Sequence, residues 1–146
     1  MCFLGVDIGG TSVRSLVTDA GGKILGYQRI ARVSHESLWQ AINDCLGTVL
    51  AQSSVVHVEA AVVGAAGAGP TGNHDVCQSV EKAFRAVGLD VTPQVVTDIE
   101  IAYWSAAVLG DGSILVAGTG AIAGRFSEWR CVDRRDGAGW LLGDHG

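Results

Sequence analysis

The strongest constraint on the fold is a pair of segments in which an apolar run passes through a glycine–threonine turn into a second run. The first covers residues 3–18, with its turn at Gly9-Gly10-Thr11, and the second covers residues 114–126, with its turn at Gly118-Thr119-Gly120. Each segment predicts a β-hairpin. Because glycines let backbone N–H groups approach an anion closely, the pair is typical of two halves of one phosphate clamp.

The hydrophobic pattern predicts an α/β chain with the element order β-β-β-α-β-α-β-α up to about residue 110. Strands are expected at residues 3–7, 13–18, 24–30, 55–63 and 94–97. Helices are expected after a cap at Ser34 or Ser37 and over residues 73–87 and 98–109. Short strands bridged by helices predict parallel pairing through right-handed crossovers. A fresh hairpin follows at residues 114–117 and 122–126, and a further turn and strand over 129–136.

Asp7 stands at the end of the first predicted strand, directly before the glycine turn. A carboxylate beside a phosphate cradle suits hydrated Mg²⁺, which keeps several of its waters. The alternative is a capped β-turn in which Asp7 only bonds the turn amides. The segment is not a Walker A loop, and it is not a dinucleotide fingerprint because it leads into a strand rather than a helix.

Residues 7–11 and 118–123 resemble the N-acetylglucosamine kinase and activator-ATPase family, the BadF/BadG/BcrA/BcrD type, within the actin, heat-shock chaperone and hexokinase superfamily. The family's strand-Asp-x-Gly-Gly-Thr opening is matched in full, and its Gly-Thr-Gly-Ser-Ile-Ala hairpin differs here only by Ala121 for Ser. The resemblance implies a ribonuclease H-like, actin-type ATPase domain over residues 1–110. It also implies that residues 111–146 begin a second, incomplete domain.

The resemblance further implies ATP-dependent phosphorylation of an amino sugar, N-acetylglucosamine or glucosamine, with ATP and Mg²⁺ required. Asp7 would hold Mg²⁺ through water. The residues expected to bind the phosphates of ATP are Gly9, Gly10, Thr11, Gly118, Thr119 and Gly120.

Asp98 follows the predicted strand 94–97 and opens a helix. A helix N-cap would explain an acid at this position. The resemblance instead makes Asp98 the general base that takes the proton from the attacking sugar hydroxyl. Between two phosphate hairpins, the base is the preferred interpretation.

The stretch 137–144 is similar to the family's Gly-Trp-x-x-Gly-Asp, although His145-Gly146 departs from the Glu-Gly-Ser that usually follows. By this similarity the sugar would contact Asp98, Thr119, Trp140 and Asp144.

Charge and cysteine content exclude several other classes of protein. The net charge is −5 with scattered basic residues, so no nucleic-acid surface is predicted. No apolar run approaches the roughly 20 residues that span a bilayer, and no basic leader precedes the first strand, so a cytoplasmic protein without membrane contact is expected. Four dispersed cysteines form no C-x-x-C pair and are expected to be buried or half-buried.

Family members are about twice as long as this chain. The chain is therefore expected to be an N-terminal half that binds nucleotide weakly and turns over little alone. Its expected partner, besides the sugar, is a second copy or a complementary C-terminal half. Two alternatives stay open, namely an ATPase that activates a 2-hydroxyacyl-CoA dehydratase or benzoyl-CoA reductase, and a non-catalytic nucleotide-binding remnant.

Overall fold

The structure is a computed structural model that describes residues 1–32, 37–66, 68, 73–117 and 121–136. These residues form eight strands and three helices. In chain order they are β1 Cys2–Ile8, β2 Ser12–Asp19, β3 Ile24–Ala31, α1 Leu38–Ser53, β4 Ala60–Ala65, α2 Asn73–Ala86, β5 Gln94–Thr97, α3 Asp98–Ala106, β6 Gly112–Ala117, β7 Ala121–Ser127 and β8 Arg130–Asp136. They fall into two compact units, Met1–Asp98 and Ile99–Gly146.

The first unit contains a five-stranded mixed sheet in the order β3-β2-β1-β4-β5. Strands β1, β2 and β3 form an antiparallel meander, whereas β4 pairs in parallel with both β1 and β5. The predicted element order and the predicted parallel pairing are both confirmed. Parallel strands need a long connection, and α1 and α2 lie within those connections.

The core of the first unit lies on one face of this sheet. Alternate residues of the strands point to that face, as the period of two requires. Helix α2 contributes Val80, Ala83 and Phe84, which the sequence places on one helical face. The buried core positions of the strands and α1 include Leu4, Val6, Ile8, Val13, Val17, Val63, Ile42, Leu46 and Val49.

A buried polar contact joins β2 to α1. The Ser15 hydroxyl donates to the Cys45 carbonyl at 3.2 Å and lies 3.2 Å from the Cys45 thiol. Burial raises the pKa of the Cys45 thiol, an effect that the Ser15 contact partly opposes. Cys45 is buried and the other three cysteines are half-buried, as expected from the sequence.

Two predicted boundaries are wrong. The strand expected from residue 55 begins only at Ala60, because the chain first joins the sheet where the Glu59 N–H donates to the Cys2 carbonyl at 2.8 Å. The third helix ends at Ala106 rather than at residue 109. There the Tyr103 hydroxyl donates to the Leu109 carbonyl at 3.0 Å, which turns the chain away from the helix axis.

The second unit contains α3 from Ile99 onward and a three-stranded antiparallel sheet in the order β6-β7-β8. Tyr103 stacks on Phe126 with ring centroids 3.9 Å apart. Phe126 is thus buried. Leu115 and Val116 on β6 do remain exposed. In the described part of the chain, no helix is long and apolar enough to cross a membrane.

The close approach of β3 to α1 predicts an effect on stability. A Cβ at Gly26 would lie 3.0 Å from the Val49 carbonyl oxygen and 3.2 Å from the Ser53 Cβ. We therefore expect Gly26→Ala to lower the free energy of unfolding by about 1–3 kcal/mol, because the helix must move away from the sheet. Urea unfolding measures this loss, and Gly47→Ala in α1 is the control, because outside the helix backbone no atom of the described residues lies within 4 Å of its added Cβ. Wild-type stability of Gly26→Ala would show that the contact between β3 and α1 yields easily.

Candidate functional site

The carboxyl ends of three parallel strands bring the first two candidate residues to one edge of the sheet. Ile8 of β1 pairs with Ala65 of β4, and Ala65 pairs with Thr97 of β5. Asp7 therefore lies near the same edge as Asp98, which directly follows β5. Neighbouring strands are 4.7–4.9 Å apart, so the ends of β1 and β5 are separated by roughly 10 Å. Open α/β sheets bind their ligands at such edges.

The turn between β1 and β2 contains the predicted phosphate-binding residues Gly9, Gly10 and Thr11. The Gly9 N–H donates to the Ser12 carbonyl at 2.9 Å, which closes the turn. A Cβ at Gly9 would lie 3.4 Å from that same oxygen. Among the residues that the structure describes, no atom other than those of its chain neighbours lies within 4 Å of a Cβ added at Gly10, and the φ of Gly10 is not in the left-handed region. Neither contacts with the described residues nor backbone conformation therefore requires glycine at position 10, and the described part of the chain leaves the space beside it open.

Asp7 is paired with a basic residue across the hairpin. Asp7 and Arg14 are direct cross-strand partners, and the Arg14 Nη1 donates to the Asp7 Oδ2 at 3.0 Å. The two side chains are 35% and 47% exposed, so solvent screens the pair and its contribution to stability is small. Its main effect is to orient the Asp7 carboxylate next to the glycine turn. Sequence reasoning did not single out Arg14.

A second arginine, also missed from the sequence, holds the turn from the other side. Arg32 follows β3, and its backbone N–H donates to the Thr11 carbonyl at 2.9 Å. Its Nη1 donates to the Gly9 carbonyl at 3.2 Å. Arg32, directly after β3, thereby donates to two carbonyls of the turn between β1 and β2.

Asp98 is exposed and is the first residue of α3. The partial positive charge at a helix N-terminus favours a carboxylate at this place. This position suits both a capping acid and a general base facing the sheet edge. Replacing the carboxylate distinguishes the two roles, because only the general base must accept a proton.

The described residues contain no group of three or more His, Cys, Asp or Glu side chains arranged to hold a metal ion. A single half-exposed carboxylate at Asp7 does not make a protein cage for a cation. It does fit Mg²⁺ held mainly by nucleotide phosphates and water, which is how this ion is usually bound at phosphoryl-transfer sites.

Five predicted site residues lie outside the described residues. They are Gly118, Thr119, Gly120, Trp140 and Asp144. In the glycine-rich segment 64–72, Ala66 lies beside the end of β1, where its N–H donates to the Ile8 carbonyl at 3.1 Å.

No protein-family model and no curated protein sequence matches the chain. Solved structures do match it. A proposed N-acetylglucosamine kinase from Porphyromonas gingivalis superposes with a TM-score of 0.75 at 19% identity, over 97% of this chain and 50% of that protein. A second from Chromobacterium violaceum gives 0.71 at 22% identity, over 98% and 51%.

A ROK family glucokinase from Streptomyces griseus, solved with glucose and AMPPNP, gives a TM-score of 0.62 at 25% identity, over 90% of this chain and 46% of the glucokinase. The chain thus spans about half the length of these proteins. The likeness confirms the predicted fold class, an actin-like ATPase fold with a five-stranded sheet and a second small sheet.

Proposed function

We propose that the protein containing this chain transfers the γ-phosphoryl group of ATP to a hydroxyl of an amino sugar, N-acetylglucosamine or glucosamine. The observation that carries the proposal is the open space at Gly10, in a turn that follows Asp7 at the carboxyl edge of the sheet. The structural neighbours described as sugar kinases, one of them bound to glucose and AMPPNP, support the choice of substrates. The match of residues 7–11 and 118–123 to the N-acetylglucosamine kinase and activator-ATPase family supports the amino sugar.

In this proposal the turn residues Gly9, Gly10 and Thr11 bind phosphate oxygens through their backbone N–H groups. Backbone donors of this kind suit an anion because they lie close together and need no counter-charge of their own. Asp7, oriented by Arg14, holds Mg²⁺ through water. The metal ion would neutralise charge that develops on the phosphates during transfer.

Asp98 takes the proton from the sugar hydroxyl. At the same time the hydroxyl oxygen bonds to the γ-phosphorus, and the bond from the γ-phosphorus to ADP breaks. The separation of roughly 10 Å between the ends of β1 and β5 leaves room for the phosphoryl group and the acceptor between the two acids. Gly118, Thr119 and Gly120 as phosphate ligands, and Thr119, Trp140 and Asp144 as sugar contacts, complete the proposed site.

The proposed division into domains is the one that the family resemblance implies, and it suits this chemistry. Phosphoryl transfer is faster when two domains close over the substrates and exclude water. We propose that residues 1–110 form the first such domain and that residues 111–146 begin the second.

A kinase assay of the purified protein that contains this chain tests the function directly. With MgATP and either N-acetylglucosamine or glucosamine, we expect a phosphosugar detectable by ³¹P NMR and formed in equal amount with ADP. ATP hydrolysis that is independent of every sugar would contradict the proposal and favour an activator ATPase. Binding of MgATP without any turnover would favour a non-catalytic remnant.

Filling the open space at Gly10 separates ligand binding from folding. We expect Gly10→Val to weaken AMPPNP binding about tenfold or more, because the added side chain occupies the place of a phosphate oxygen. Its free energy of unfolding should stay within about 0.5 kcal/mol of wild type, because none of the described residues places an atom within 4 Å of the added Cβ.

Isothermal titration calorimetry measures the change in AMPPNP affinity. Gly5→Val is the matched control, since an added Cβ at Gly5 likewise has no atom of the described residues within 4 Å, but Gly5 lies within β1 and away from the turn. Equal affinities of Gly10→Val and wild type would exclude the turn as a phosphate site.

A further inference from the structure

The two bonds from Arg32 fix the orientation of the peptide groups in the β1–β2 turn. The Arg32 Nη1 donates to the Gly9 carbonyl at 3.2 Å, and its backbone N–H donates to the Thr11 carbonyl at 2.9 Å. A trans peptide group is planar, with its C=O and the following N–H pointing in opposite directions. No peptide bond in the described residues is cis. Holding the Gly9 carbonyl therefore directs the Gly10 N–H away from Arg32.

We propose that Arg32 is a positioning residue for phosphate binding. By holding the Gly9 carbonyl, its guanidinium directs the Gly10 N–H toward a phosphate oxygen of the nucleotide. This inference rests on the proposed function of the turn as a phosphate site. It assigns the task to a residue that follows the third strand, outside the glycine turn itself.

The chemistry of the side chain suits this task. A guanidinium is planar, always charged, and presents its N–H groups in a fixed fork, so it holds a carbonyl in a defined direction. Arg32 is half-buried, so its side chain is more restricted than a fully exposed one. A lysine would offer a mobile point charge in its place.

The second bond makes the proposal testable. The bond from the Arg32 backbone N–H to Thr11 does not depend on the side chain, so Arg32→Ala keeps it and removes only the bond to Gly9. Lys23→Ala is the matched control. It removes one exposed positive charge in the β2–β3 turn, at the end of the β2–β3 hairpin opposite Arg32.

The test measures AMPPNP affinity by calorimetry in the presence of Mg²⁺ and backbone hydrogen exchange of residues 9–12. For Arg32→Ala we expect about tenfold weaker binding and faster exchange in the turn, with both unchanged in Lys23→Ala. Arg32→Lys should fall between Arg32→Ala and wild type. The loss in Arg32→Ala should persist at about 0.5 M salt, where the Debye length is only a few Å, because positioning is geometric.

Four results would contradict the positioning role of Arg32, the proposed kinase activity, or both. Wild-type affinity in Arg32→Ala, despite faster exchange, would limit Arg32 to a structural role and overturn the proposal. A loss of affinity that disappears at high salt would assign the effect to charge and overturn it as well. A wild-type protein that binds AMPPNP but phosphorylates no sugar would refute the proposed kinase activity, and the Arg32 comparison would still decide the positioning role. Failure of the wild type to bind AMPPNP would overturn both.

Discussion

Replacing Asp98 with asparagine is expected to lower kcat for sugar phosphorylation by about 10²–10⁴-fold. Asparagine has nearly the same shape but cannot accept the proton of the sugar hydroxyl. At the first position of α3 asparagine loses only the attraction between a negative charge and the helix N-terminus, worth about 0.3–1 kcal/mol, so the stability of the protein should change little. The substitution therefore separates the two interpretations of Asp98. Steady-state kinetics with MgATP and the preferred amino sugar, together with thermal unfolding, measure both effects.

The control for this substitution is Asp90→Asn, which removes a charge from an exposed acid in the connection between α2 and β5. Its kcat should equal that of wild type. If Asp98→Asn retains full kcat, Asp98 is not the base. If kcat is retained while the stability measured by thermal unfolding falls, the acid serves the helix alone.

Replacing Phe84 with alanine is expected to lower the free energy of unfolding by about 3–5 kcal/mol. Phe84 is 2% exposed and lies on the face of α2 that packs into the core of the first unit. Its removal loses the transfer free energy of the ring and leaves a cavity that the surrounding side chains fill only in part. Since domains of this size are typically stable by 5–15 kcal/mol, the loss is a large part of the total.

Urea unfolding followed by circular dichroism measures the loss at Phe84. Phe84→Leu keeps most of the volume and should lower the free energy of unfolding by about 1.5 kcal/mol at most. Equal losses in the two variants would mean that the shape of the ring, rather than the volume it fills, determines its contribution.

Much of the fold follows from local pattern. The glycine turn at residues 9–11, the helical face of α2 and the short strand 94–97 are visible in the sequence because turn chemistry and side-chain period act over a few residues. The pairing of Arg14 with Asp7 was also accessible in principle. A turn that covers residues 9–12, one residue longer than the predicted Gly9-Gly10-Thr11, places the two residues opposite each other, so the correct turn length would have indicated the contact.

The candidate site was only partly accessible. Asp7, Gly10 and Asp98 stand out as residues that follow predicted strands, but no local signal places Asp7 and Asp98 at one edge. The order β1-β4-β5 decides this, and it depends on helices that close long loops over a shared core.

By itself the sequence determined which segments become hairpins and helices and which residue types stand at their ends, because turn formation and amphipathic periodicity are local. Only the tertiary structure decided that Asp98 follows a strand two places from β1 and that Arg32 binds the carbonyl of Gly9. Both relations join residues distant along the chain, and such contacts form only when burial of the common core offsets the entropy of closing the loops between them.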